Sequence, residues 1–369
     1  MFLKSLDKIF FNKIFAFFPM LFLFSMGSLS QRYQQEQNSW SSASFFHKLY
    51  NFQFAEADSL IATIDSAEQS LHFNFLKAHY MRWYYLPIHQ QNREILYDYR
   101  QYLEATAEID IDSELSYFAI NSALLKAEFH YNQGNYYKAF QNGAIVYEVV
   151  KDSLDSKPSR VEIKFLTALY HYYYHYYRAE NPIFSPMMWF FKEGEKATGL
   201  KWLEEVAEER SLLSTEALVY LSHIYLRLEN QPRKALNFAM QLSEKHPHNL
   251  KFYELLIESS LANIIENRDI TERIKRLKES SKIYFRKYGV CYDAIWLSKF
   301  GSHGTDKKIL AMTDALDFIQ KNGGGNHLSS LLYHHLYELT ANEEYLKQKN
   351  KLNTYEYVLT GYRLEKVID

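Results

Sequence analysis

Two histidines, His171 and His175, stand four residues apart. That spacing sets both imidazoles on one face of a helix, an arrangement that suits zinc. A hydrolase helix of the His-Glu-x-x-His type also needs a glutamate directly after the first histidine as general base. Here the intervening residues are Tyr172, Tyr173 and Tyr174, and neither Glu162 nor Glu180 has diagnostic spacing for a third ligand. The pair therefore reads as structural or interfacial; His334-His335 and His246-Pro247-His248 are weaker still. Cys291, the single cysteine, excludes an intramolecular disulfide and reads as a small buried hydrophobe in an apolar helix. Lys321-Asn322-Gly323-Gly324-Gly325-Asn326 lacks the Gly-Lys-Ser/Thr ending of a phosphate loop and reads as a connection between helices. Glu204, Glu205, Glu208 and Glu209 read as a solvated helix face. No pair of carboxylates takes acid and base roles, so the expectation is a noncatalytic protein without cofactor or metal.

Aromatic side chains are the other conspicuous resource. The chain holds 31 Tyr and 26 Phe, and residues 170–177 are all Tyr or His. Downstream, Pro182 and Pro186 forbid a continuous helix, and Phe184, Met187, Met188, Trp189, Phe190 and Phe191 follow at close quarters. Tyr and Trp combine apolar contact with a hydrogen bond, which suits partner surfaces. The candidate partner-binding residues are accordingly Tyr131, Tyr136, Tyr137, Tyr147, His171, His175, Phe184, Trp189, Phe190 and Phe191. Three readings of the 179–195 insertion stay open: intramolecular packing, a peptide or protein site, and a small-molecule pocket.

These residues must be positioned by helices. With only 7 Pro and 12 Gly, the chain has too little punctuation for a turn-rich sheet protein. Leu218, Leu221, Ser222 and Tyr225 line one helical face, Glu229-Asn230-Gln231-Pro232 breaks it, and Ala235, Ala239 and Leu242 form a facing stripe closed by Pro247. A second unit spans Ala123 to Val150, with Ala127, His130, Gly134, Tyr136 and Ala139 carrying the pattern. Weaker pairs fall at 45–64, 161–178 with 196–209, and 250–264 with 270–288; further helices are expected at 306–320, 327–339 and 343–360.

The Leu218–Pro247 unit resembles the tetratricopeptide repeat, with Leu218 where that family usually has Trp and one extra residue near the turn. The resemblance implies an all-α, right-handed superhelical solenoid of degenerate hairpins over residues 45–369. It also implies protein-protein contact along a concave face. Small residues at Ser222, Ala235 and Ala239 let paired helices approach closely.

The N terminus sets an expected address. Lys4, Lys8 and Lys13 precede an apolar run from Ile14 to Met26 and then Gly27-Ser28-Leu29-Ser30, the order of a secretory signal peptide. Residues 1–30 read as that leader, cleaved near Ser30, and 31–44 as a flexible lead-in. An uncleaved membrane anchor is the alternative, although the apolar run is shorter than the roughly 20 residues that span a bilayer. A net charge of −2 gives no support to nucleic-acid binding. The expected role is a periplasmic scaffold or adaptor holding an envelope protein or extended peptide, with peripheral membrane association through that partner. The other class is a periplasmic ligand-binding protein or envelope hydrolase.

Overall fold

The structure, a computed structural model, describes residues 42–63, 70–84, 93–105, 116–133, 135–180, 191–264 and 268–352. The leader, Gly134, Pro182, Phe184, Pro186, Trp189, Phe190 and everything past 352 lie outside the described residues. Every regular element among the described residues is a helix, as the scarcity of Pro and Gly predicts. None of those helices is long and apolar enough to cross a membrane.

The chain divides into two compact units, residues 1–217 and 218–369. The first contains α1 (residues 42–50), α2 (Phe54–Ala62), α3 (Ser70–Tyr84), α4 (Arg93–Ala105), α5 (Ser116–Asn132), α6 (Tyr136–Val150), α7 (Val161–Glu180), α8 (Lys196–Glu208) and the start of α9 (Leu213–His223). Residues 42–44 already belong to α1, although their composition suggests a flexible lead-in. Ser42 is buried and pairs with the His72 ring at 2.8 Å, and Phe45, Phe46 and Leu49 carry the helix into the core. The most extensive contacts join α3 to α4, α5 to α6 and α7 to α8, while α3 also reaches α5.

Helices α7 and α8 approach backbone to backbone at Gly199. A Cβ there would lie 2.6 Å from the Tyr172 nitrogen and 2.7 Å from the Ala168 oxygen. No rotamer change relieves such a clash, so Gly199→Ala is expected to cost about 1–3 kcal/mol, the usual range for overpacking. A lower urea midpoint at unchanged slope would show it; an unmoved midpoint would rule the contact out.

The second unit contains the end of α9, a π-helical turn at Ile224–Leu228, α10 (Pro232–Lys245), α11 (Leu250–Ala262), α12 (Arg268–Lys278), α13 (Ile283–Phe300), α14 (Thr305–Lys321), α15 (Asn326–Thr340) and α16 (Glu343–Lys351). Pro232 occupies the first turn of α10, where its missing N–H costs nothing, and Ala235, Ala239 and Leu242 form the buried stripe. Asn249 caps α11 by accepting the Lys251 and Phe252 N–H groups at 2.9 and 3.2 Å. Residues Phe252 to Leu261 are all buried, so α11 is enclosed on every side. Each helix from α10 to α16 packs on the next, and α11 touches α13 as α13 touches α15.

The expected helix 270–288 is two helices. Chain direction changes at residues 279–282, where the Ser280 hydroxyl accepts the Lys282 N–H at 3.2 Å. Gly289 permits the return, since a Cβ there would sit 2.5 Å from the Lys278 nitrogen. The glycine run 323–325 connects α14 to α15 as expected, with Gly323 and Gly324 at φ +88° and +73°, a conformation that favours glycine.

Candidate functional site

The described aromatics of this region of the first unit pack on one another. Tyr147 of α6 packs against Tyr170 of α7 and Phe191, with ring centroids 5.4 and 5.6 Å away. The Tyr170 hydroxyl donates to the Lys192 carbonyl at 2.6 Å, and the Lys192 N–H reaches the Tyr147 hydroxyl at 3.4 Å. The strand-like stretch after Phe191 then lies along α7: His171 Nδ1 accepts the Glu195 N–H at 2.9 Å, and the ring meets Trp202 edge-on at 5.2 Å. Burial pushes the His171 pKa down, and the accepting Nδ1 places the proton of the neutral ring on Nε2.

The histidine pair is therefore divided. His171 is buried and His175 exposed, and no group of three His, Cys, Asp or Glu among the described residues could hold a metal ion. Tyr131 lies on α5, Tyr136 and Tyr137 on α6. Phe184, Trp189 and Phe190 fall outside the described residues. The glutamates of α8 also differ from a simple solvated face: Glu205 meets Lys157 at 2.6 Å and Glu209 pairs with Lys164. Cys291 is fully buried, with its thiol pKa pushed up by burial, as expected of an inert core residue.

Sequence reading did not find a cavity of about 230 Å³ among α4, α5 and α6. Leu103 and Phe129 give it apolar walls; Arg100, Glu104, Lys126, His130 and Asn142 supply polar groups. Arg100 and Glu104 pair at 2.7 Å. Burial pushes the Lys126 pKa down to about 8, with Glu104 pulling it back. The His130 pKa is lowered by burial and then by Lys138, Arg100 and Lys126 together, and its Nδ1 has no hydrogen-bond partner. The Lys126/His130 and Arg100/Glu104 pairs sit four apart on their helices, a signal available in the sequence; that α4 and α5 face each other was not.

In the second unit a buried ionic network joins α11 to α13 and the π-helical turn. Arg227 pairs with Glu258, which also accepts the Tyr292 hydroxyl. Lys251 donates to Glu254 at 2.6 Å and to the Tyr284 hydroxyl at 2.6 Å, and Tyr288 meets the His327 Nε2 at 2.6 Å. Burial pushes Glu254 up to about 7 against the pull of Lys251, and pushes His327 down to about 4, reinforced by Lys251, Lys287 and Arg227. Burial also drives the Tyr284, Tyr288 and Tyr292 hydroxyls upward. Arg227–Glu258 and Lys251–Glu254 are the two ion pairs of this network, and Glu254 Oε1 is buried with no hydrogen-bond partner.

Acid should weaken this protein. A histidine held neutral in the fold binds its proton more readily when unfolded, so stability falls as pH drops from 6.5 toward the lowered folded value. His327 follows that sign, a contribution of about 3 kcal/mol at most, while Glu254 takes up its proton early in the fold and roughly offsets it. His79 and His223, both held well below 6.5 by burial first and neighbouring cations second, add to the loss in acid. His79 lies edge-on to Phe46 and Phe75 at 4.9 and 4.6 Å, and neither ring nitrogen has a hydrogen-bond partner. His79→Phe is expected to stabilise by about 1–3 kcal/mol, the cost of a buried unsatisfied group, and to flatten the fall in urea midpoint between pH 7 and pH 5. A variant with the wild-type acid limb would exclude His79 as its cause.

No protein-family model matches the chain, and no curated protein or solved structure matches it either.

Proposed function

We propose that this protein is an exported, noncatalytic scaffold whose tetratricopeptide-like hairpins stack into a right-handed solenoid. In this reading its leader is removed near Ser30, and the mature chain works in the periplasm. There it holds an envelope protein or an extended peptide along the groove of the repeats, and reaches the membrane surface only through that partner. The observation that carries the reading is the contact order of the second unit, where helices pack on chain neighbours and α11, α13 and α15 touch in series. Stacked hairpins produce that order because each buries its face on the next. Among the candidate partner residues His175 is exposed, which leaves it available to such a partner in this reading.

The test combines N-terminal sequencing with crosslinking of the tagged full-length chain in a bacterial envelope. A mature N terminus at Gln31 and a reproducible crosslinked partner, lost on replacing Phe184, Trp189 and Phe190 with alanine, would support the proposal. An intact leader in the membrane fraction would favour the anchored form of the same scaffold. Uncleaved protein in the cytosol with no crosslinked partner would overturn it. The ligand-binding alternative is favoured by a separate observation, the polar cavity among α4, α5 and α6.

A further inference from the structure

We propose that the α4–α6 cavity binds a small carboxylate, its charge received by Arg100, Lys126 and His130 and its stem by Leu103 and Phe129. This goes beyond the scaffold reading and does not depend on it. Three side-chain cations, Arg100, Lys126 and Lys138, act on the His130 ring, against one carboxylate, Glu104. Of these cations Arg100 and Lys126 line the cavity, and the one lining carboxylate is already engaged by Arg100 at 2.7 Å, which leaves Lys126 as the uncompensated charge. Lys126 is half-buried while Arg100 and Glu104 are exposed; a partly buried cation favours a counter-ion, and Glu104 is the one carboxylate lining the cavity. The His130 Nδ1, buried without a partner, is a further polar atom awaiting a contact. The Asn142 amide nitrogen is committed to the Lys138 carbonyl at 2.8 Å, which leaves its oxygen to orient a donor on the ligand.

The apolar wall argues for an acid with a stem instead of a bare inorganic ion. Leu103 is 1% exposed and Phe129 8%, and both border the cavity. A 150 Å³ cavity holds benzene, so a cavity of about 230 Å³ takes about nine non-hydrogen atoms, the size of benzoate. The same carboxylate chemistry occurs on a free organic acid and at the C terminus of a peptide.

Calorimetric titration of the full-length chain with sodium benzoate, and with benzamide as its uncharged counterpart, tests the site. Benzoate is expected to bind at least about tenfold more tightly, as charge-assisted recognition requires. Lys126→Met should reduce benzoate affinity at least about tenfold while helix content by circular dichroism is unchanged, and Lys126→Arg should retain most of it. A titration with acetyl-Ala-Phe and its C-terminal amide separates the sources. Tighter binding of the free-acid peptide than of benzoate assigns the site to chain termini, and weaker binding assigns it to a free acid; either supports a carboxylate site. Equal binding of benzoate and benzamide, no binding of benzoate, or an Lys126→Met variant within twofold of wild type would overturn it.

Discussion

Replacing Arg82 with methionine should destabilise the protein by about 3–5 kcal/mol, the cost of breaking a buried ion pair from one side. Arg82 Nε and Nη2 hold the Glu128 carboxylate at 3.1 and 2.9 Å, and Nη1 lies 3.9 Å from Glu216. The three side chains are only 8, 12 and 13% exposed. Without the guanidinium, two carboxylates from different helices face each other with no cation between them. Burial already raises the Glu128 pKa, and Arg82 opposes that rise. The variant's carboxyl must therefore climb further and take up a proton sooner on acidification. The sign follows: the folded state of the variant gains protons relative to the unfolded chain, so its deficit should be smaller at pH 5 than at pH 8. Urea unfolding at both values measures the loss and its pH dependence, and adding Glu128→Gln should recover part of the deficit. A loss below about 1 kcal/mol would place Arg82 among ordinary surface pairs.

Glu258→Ala should be as damaging in the second unit, again by about 3–5 kcal/mol. Arg227 and Glu258 are 6 and 5% exposed, and Tyr292, which donates to the same carboxylate, is fully buried. The substitution removes the carboxylate that both Arg227 and Tyr292 engage. Glu258→Gln retains an acceptor for Tyr292 and should cost less. Tyr292→Phe deletes only the donor, with an expected loss of about 1–3 kcal/mol. A double-mutant cycle between Glu258→Ala and Tyr292→Phe isolates their coupling. Additive losses would mean that the phenol and the carboxylate contribute independently, contrary to the geometry.

Elements whose evidence is local were legible in the residues. The stripe Ala235, Ala239 and Leu242, stopped by Pro232 and Pro247, marks α10 within the sequence itself, and those three side chains are buried. Helix α3 has no legible signature, because its apolar and aromatic residues lie on several sides and offer no single stripe. The break between α12 and α13 was hidden for a different reason: Ser280 and Ser281 are weak punctuation, and the turn is stabilised by Gly289 meeting the backbone at Lys278. The candidate site was legible in residue type more than in placement. His171 and Tyr147 stand out by residue type, yet their contacts depend on Glu195, Trp202 and Phe191 returning to them. Arg82, Glu128 and Glu216 carry no local pattern at all, because their meaning arises only when three helices converge.

The contact between Tyr50 and Glu216 has a temporal side. The Tyr50 hydroxyl donates to Glu216 at 2.6 Å across 166 residues of sequence. Loop closure over such a distance comes late, after local hairpins have paid their own ordering entropy. During synthesis at about 5–20 residues per second, α1 waits roughly 8–33 s for the residue that completes its anchorage. Through that interval Phe46 and Tyr50 have Phe75, His79 and Trp83 of α3 to pack against. Among the described residues of the first unit, the earliest helix is thus locked by nearly the unit's last residue, and a chain truncated before Glu216 would lack that lock.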